Sequence, residues 1–273
     1  MYEAEPLYID ADKPNPLRKR YKKEVAAAQK EHIHIYGPGC VCETDVLGHP
    51  TPNNRSPLDL VVDATEGFIP LWDQGVTLRW RFNEFSMQVF RDPNAAKAYI
   101  RELFARGVAL WGDASPVRFT EVQDAWDFEI KMEPQANCTI NGCTLARAFF
   151  PGGGQNDLAL YPTLFDQTVQ EQIETMAHEV GHIYGLRHFF ANVSETAWAS
   201  EIFGTHNQFS IMNYGHNSFM TDDDRNDLKS LYSSVWDGSL TNINGTPVQL
   251  FKPFSHNRFL TLPRQIAAAV QMR

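Results

Sequence analysis

The stretch His178-Glu179-Val180-Gly181-His182-Ile183-Tyr184-Gly185-Leu186-Arg187-His188 decides how the rest of the chain is read. On a helix predicted over 167–185, at about 100° per residue, Ile173, Ala177, Val180 and Tyr184 fall on one side. His178 and His182 fall on nearly the opposite side, one turn apart, where two ring nitrogens can reach one Zn²⁺ at about 2.0–2.1 Å. Gly185, having no Cβ, can take positive φ, end the helix and turn the chain back, so that His188 arrives from the exit loop as a third ligand. Three protein ligands leave the fourth position to water, the open coordination of a catalytic rather than a structural site. Glu179 lies about 100° around the helix from His178 and is better placed to hold that water than to ligate the ion. Its expected role is that of general base, with the water attacking a polarised carbonyl.

The composition around this stretch excludes several classes. With 273 residues, 43% of them hydrophobic, and six tryptophans, the chain can bury a core for one good-sized domain plus extensions. A net charge of -9 argues against nucleic acid as a partner. The one basic run, Arg18-Lys19-Arg20-Tyr21-Lys22-Lys23, reads as a solvated helix face before a targeting or binding signal. No apolar run reaches membrane-spanning length and Met1 to Pro6 lacks the layout of a secretory signal, so no membrane partner is expected. The compartment stays open between cytoplasmic and leaderless or processed secretion, and a monomer is assumed.

In chain order, residues 1–57 read as an N-terminal extension and linker that could serve as a pro-segment, with a helix candidate over 17–30. His32 and His34 alternate as on a strand face and read as surface histidines. Residues 76–82 alternate apolar and polar, the period of a half-buried strand. Asp92 and Pro93 then supply an N-cap and a first-turn proline, and Ala96, Tyr99, Ile100, Leu103, Phe104, Val108 and Trp111 recur at helical spacing. Strands are predicted over 117–122, 127–132, 144–150 and 157–161, and a last helix from the cap Thr221-Asp222-Asp223-Asp224 to Tyr232. This order predicts an α+β fold over 58–235: a twisted, mixed, mostly parallel sheet with a long zinc-binding helix and a C-terminal helix. Residues 236–273 read as a C-terminal tail with a strand over 246–251 and a short helix. The four cysteines form two local pairs, Cys40 with Cys42 and Cys138 with Cys143; the second could be a disulfide or two reduced thiols, depending on compartment.

Downstream, Phe209-Ser210-Ile211-Met212-Asn213-Tyr214-Gly215 completes a pattern. With it the chain resembles the metzincin clan of zinc peptidases, whose long zinc motif is followed by a tight turn bearing a methionine beneath the metal. The resemblance implies one catalytic Zn²⁺ held by His178, His182 and His188, with Glu179 as general base and Met212 as the turn methionine. Tyr214 matches the tyrosine that astacins and serralysins swing onto or off the zinc, where it would donate to an oxyanion; the alternative is a core aromatic. The upstream half resembles a matrixin, in Trp111-Gly112, in residues 115–122, and in Leu145-Ala146-Arg147-Ala148-Phe149-Phe150-Pro151-Gly152-Gly153-Gly154. That last run is similar to the edge strand that binds substrate as an added β-strand, which makes Leu145, Ala146, Arg147 and Ala148 the expected substrate-binding residues.

The departures are specific. The matrixin calcium loop is replaced by Cys138 to Cys143, the structural-zinc histidines have no counterpart, and Phe189 matches none of the residues that mark the named families. Serralysin glycine repeats and the cysteine-switch motif are missing, although Cys40 or Cys42 in Gly37-Pro38-Gly39-Cys40-Val41-Cys42 could place a thiolate on the zinc. Trp198, Ile202 and Phe203 could line the S1′ pocket or pack beneath their loop. The implied function is a zinc endopeptidase acting on proteins or peptides. The alternatives are a latent or non-cleaving peptide-binding module of the same fold, and hydrolysis of a non-peptide amide by the same residues.

Overall fold

Asp92 starts the first helix as the cap pattern predicts: its carboxylate accepts from the backbone N–H of Asn94 and of Ala95, each at 3.0 Å. The structure is a computed structural model that describes residues 39–41, 60–63, 67–139, 142–188, 200–203, 210–213 and 218–259. The elements in order are β1 (Gly39–Val41), β2 (Leu60–Asp63), β3 (Ile69–Trp72), β4 (Thr77–Phe82), α1 (Pro93–Trp111), β5 (Arg118–Glu121) and β6 (Phe128–Met132). There follow β7 (Cys138–Thr139), β8 (Gly142–Thr144), β9 (Ala146–Arg147), β10 (Asn156–Leu160) and α2 (Val169–Ile183). The chain continues through β11 (Ser200–Phe203), α3 (Asp222–Trp236), β12 (Asn242–Ile243), β13 (Thr246–Phe251) and α4 (Phe254–Phe259).

The central sheet runs β5-β4-β6-β10-β9, with the first four strands parallel and β9 antiparallel to β10 at one edge. It is the mixed, mostly parallel sheet expected of an α+β fold. Alternation sends Leu78, Trp80 and Phe82 of β4 and Phe128, Ile130 and Met132 of β6 into the core. There Phe104 of α1 meets Trp80, Phe119 and Phe128 edge to face. Each such burial contributes about 1.5–3 kcal/mol, against about 0–1 kcal/mol for partly exposed ion pairs such as Arg81–Glu129 and Arg101–Glu121, so the aromatic seam dominates. Helices α1 and α2 cross at Gly107, where a Cβ would lie 2.9 Å from Met176 Cβ and Cγ, so only glycine admits this approach.

Two expectations need correction. The strand predicted over 144–150 is broken: β8 turns away into a hairpin with β7, and only Ala146–Arg147 joins the central sheet. The cause is competition for backbone partners, since Thr144 N–H donates to Asn137 O at 2.8 Å while Leu145 O accepts from Tyr161 N at 3.0 Å. The last helix extends a turn beyond Tyr232 to Trp236, because Val235 is buried and Trp236 Nε1 donates to Trp72 O at 3.0 Å.

The segment read as a C-terminal tail adds β13 in parallel to β3, and Ser255 of α4 donates from N and Oγ to the Asp127 carboxylate at 2.6 and 3.0 Å. At the other end of the chain, β1 pairs in parallel with β8, and β2 pairs antiparallel with β11 and touches Leu186 through a bridge at Val62. The helix candidate over 17–30, its basic run, and His32 and His34 lie outside the described residues. No helix among the described residues is long and apolar enough to cross a membrane.

Candidate metal centre

Thr168 opens α2 with a reciprocal cap: its Oγ1 accepts from Glu171 N, and its own N–H donates to Glu171 Oε2 at 2.8 Å. Aromatic handles hold the rest of the helix. Trp111 Nε1 donates to Ala177 O at 2.9 Å, Trp72 Nε1 to Ile183 O at 2.7 Å, and the Tyr232 hydroxyl to Tyr184 O at 3.0 Å. The last two satisfy carbonyls that a helix end leaves without intrahelical donors. Burial of the Tyr184 and Tyr232 hydroxyls pushes their pKa well above the ordinary tyrosine value. Gly185 then takes φ +91°, and a Cβ there would meet Leu71 Cδ2 and Pro70 O at 3.0 Å. Conformation and space therefore both require glycine at this exit.

The helix is buried all round in its second half, not only on the side of Ile173, Ala177 and Val180. The histidine side is covered by the turn at residues 210–213 and by Phe150, whose ring stands edge-on to His182 with centroids 5.6 Å apart. His178, His182 and His188 are fully buried, and their Nε2 atoms converge: His178 Nε2 lies 3.1 Å from that of His182 and 3.1 Å from that of His188. His178 Nδ1 faces Ile211 O at 2.8 Å and His182 Nδ1 faces Leu186 O at 2.7 Å. A carbonyl only accepts, so both Nδ1 atoms carry the proton and both Nε2 atoms present lone pairs inward.

Lone pairs facing one another at this distance repel, and a cation between them turns the repulsion into coordination. Tetrahedral ligation with Zn–N of about 2.0–2.1 Å sets nitrogens about 3.3 Å apart, close to the spacing found. The donor set therefore fits one zinc-sized ion. It is the only such group of three or more His, Cys, Asp or Glu among the described residues.

The other predicted site residues are placed as follows. Glu179 is buried beside His178. Met212 is buried under the helix, where a Cβ on Gly181, between the two helical histidines, would come within 2.3 Å of its sulfur. Leu145, Ala146 and Ala148 are buried, and half-buried Arg147 pairs with Asp157 at 3.5 Å on β9, the outermost strand of the sheet. Phe203 is packed against the core, and Ile202 lies in β11. Tyr214, Trp198, Phe189 and Cys42 lie outside the described residues. Cys40 sits in β1, and Cys138 and Cys143 are joined as a disulfide.

Sequence reasoning took Asp224 for part of a helix cap, ahead of a calcium ligand, and missed its reach to the turn at 210–213. Its buried carboxylate accepts from Thr221 N and Oγ1 at 2.9 and 2.7 Å, and also from Ser210 Oγ at 2.5 Å and Ile211 N at 3.2 Å. Ser210 Oγ in turn accepts from Met212 N at 3.1 Å. The N-terminus of α3 thus holds the turn whose Ile211 carbonyl orients His178. Phe150 was read only as the end of the strand over 144–150, a position that carries no signal of the His182 ring it meets.

A family model described as Matrixin, of peptidase family M10, matches residues 72–233. Stromelysin-3 from Homo sapiens is 27% identical over 131 residues, and stromelysin-3 from Mus musculus 28% identical over 123. Each match takes in 40% of this chain and 25% of the relative, so the chain spans about a quarter of the length of these proteins. The solved structure of myroilysin aligns with 63% of this chain and 98% of its own at 12% identity and a TM-score of 0.41. The family match runs from the end of β3 through both helices, the three histidines and the turn at Met212 into α3, and this chain belongs to the matrixin family of metzincin-clan metallopeptidases.

Proposed function

We propose that this protein is a zinc-dependent endopeptidase in which His178, His182 and His188 hold one catalytic ion and Glu179 is the general base. The convergence of three buried Nε2 atoms, two of them with tautomers set by backbone carbonyls, carries this reading. Zinc, when bound, supplies a Lewis acid that polarises the scissile carbonyl and lowers the pKa of water toward about 7. A Glu179 carboxylate oxygen takes the proton of the attacking water and delivers it to the leaving amine nitrogen. The Nδ1–H bonds of His178 and His182 keep both rings from turning as charge develops. An extended peptide lies antiparallel to β9, with main-chain groups near Ala146 and Ala148 as its hydrogen-bond partners. Tyr214 donates its phenol proton to the developing oxyanion, a role taken from the resemblance to astacins.

Incubation with a proteome-derived peptide library, with and without a chelator, reads the activity directly. Glu179→Ala is expected to keep one zinc per chain and lose peptide cleavage by a factor of at least about 10²–10⁴. Cleavage unchanged in that variant would remove Glu179 from the mechanism. One zinc per wild-type chain with no cleavage of any peptide would mark a peptide-binding module instead.

A further inference from the structure

Three of the four cysteines fall in one row. Strands β1, β8 and β7 form a separate three-stranded sheet in that order. In the parallel pair, Cys40 stands opposite Cys143; in the antiparallel pair, Cys143 stands opposite Cys138. Residues opposite one another on neighbouring strands share a face of the sheet. The hydrogen bond from Thr144 N to Asn137 O makes the next pair, Cys138 and Cys143, the closely spaced non-hydrogen-bonded kind, and these two are disulfide-bonded. Cys143 is therefore the middle position, with its disulfide partner on one side and the Cys40 position on the other.

Displacement at sulfur runs along the bond that breaks, and in the strand order β1-β8-β7 the register positions of Cys40 and Cys138 flank that of Cys143. We propose that Cys40, Cys143 and Cys138 form a thiol–disulfide exchange relay that can tie the N-terminal segment covalently to β8. The Cys40 thiol loses its proton to solvent, and the thiolate attacks Cys143 Sγ. The Cys40–Cys143 bond forms, the Cys138–Cys143 bond breaks, and Cys138, on an exposed position, leaves as a thiolate that takes up a proton. One disulfide and one thiol stand on each side of the step, and no outside oxidant is required.

The consequence is one of attachment. Strand β8 continues through Leu145 into β9, so the exchanged state joins the segment carrying β1 to the strand that leads into the sheet edge. A chain cut between Val41 and Leu60 keeps its N-terminal piece covalently only in the Cys40–Cys143 state. The relay is independent of the proposed hydrolysis, because its readout is disulfide connectivity alone.

The test holds the full chain at about pH 8 without added oxidant, quenches samples in acid, alkylates free thiols and maps the unreduced peptides by mass spectrometry. The expected result is a Cys40–Cys143 peptide with alkylated Cys138, either present from the start or growing at the expense of Cys138–Cys143. Its formation should be roughly tenfold slower one pH unit lower, as thiolate fraction falls. Cys40→Ser should abolish it and Cys42→Ser should leave it. Only Cys138–Cys143 at every time, or a new disulfide of Cys143 that survives Cys40→Ser, overturns the relay.

Discussion

His178 and His182 stand on a helix, and His188 stands on the loop that leaves it. The first two are placed by one turn of α2, whose own ladder and aromatic handles keep them in phase. His188 is placed by what holds the exit loop: the left-handed turn at Gly185, the bond from His182 Nδ1 to Leu186 O, and the long-range bridge from Val62 to Leu186. A ligand on a regular element depends on its period, whereas a ligand on an exit loop depends on whatever holds the loop. His182 belongs to both arrangements, since Nε2 faces the His178 ring and Nδ1 holds the loop.

That double role gives the largest expected effect. His182→Ala and His188→Ala should each weaken zinc binding by more than the roughly 10–100-fold typical of an outer-shell change, with His182→Ala the worse because it also frees Leu186 O. Competition against a chelator of known affinity measures both. Equal losses would mean that the Leu186 bond contributes nothing to loop placement. Next comes the support beneath the helix. Asp224→Asn replaces a carboxylate that accepts four hydrogen bonds with an amide that must aim donors at donors. Its effect passes through Ile211 O to His178, so zinc affinity should fall about 10–100-fold while α3 persists by circular dichroism. Unchanged affinity would sever α3 from the site.

The two glycines separate the regions more finely. Gly181→Ala drives a Cβ toward the Met212 sulfur, a packing conflict on the helical side that should cost about 1–3 kcal/mol in urea unfolding. Gly185→Ala meets a backbone penalty of about 1–2 kcal/mol before its contacts with Leu71 and Pro70 are counted. Met212→Ala should relieve the first and leave the second untouched. Relief of both would place Gly185 under the control of the turn and break the distinction.

What the sequence made legible follows the same division. The caps at Asp92 and Thr221, the stripe of α1, the alternation of β4, and the turn at Gly185 are all written within a few residues of where they act. Pairings across long separations were not readable: β13 with β3, β2 with β11, β1 with β8, and Asp224 with Ser210. Periodicity states that a strand has an apolar face without naming its neighbour. For the same reason the run over 144–150 read as one strand, although its residues divide between two sheets.

The smallest effect concerns a second buried carboxylate, away from the three histidines. Asp127 joins β4 to α4 by accepting from Arg79 N at 2.7 Å and from Ser255 N and Oγ. Burial raises its pKa above the ordinary aspartate value, and the donors from Arg79 and Ser255 pull it only part of the way back. The folded state therefore holds this proton more tightly than the unfolded chain does. Its contribution to stability is fully present below the ordinary aspartate range, about 3.9, and is lost as pH rises through the raised folded value. Asp127→Asn cannot titrate and carries a pH-independent cost from an amide donor set among donors. Relative to wild type, the variant should then gain stability as pH goes from about 4 to about 7, measured by urea unfolding at matched ionic strength. A relative loss over that range would show that the three donors from Arg79 and Ser255 outweigh burial at Asp127.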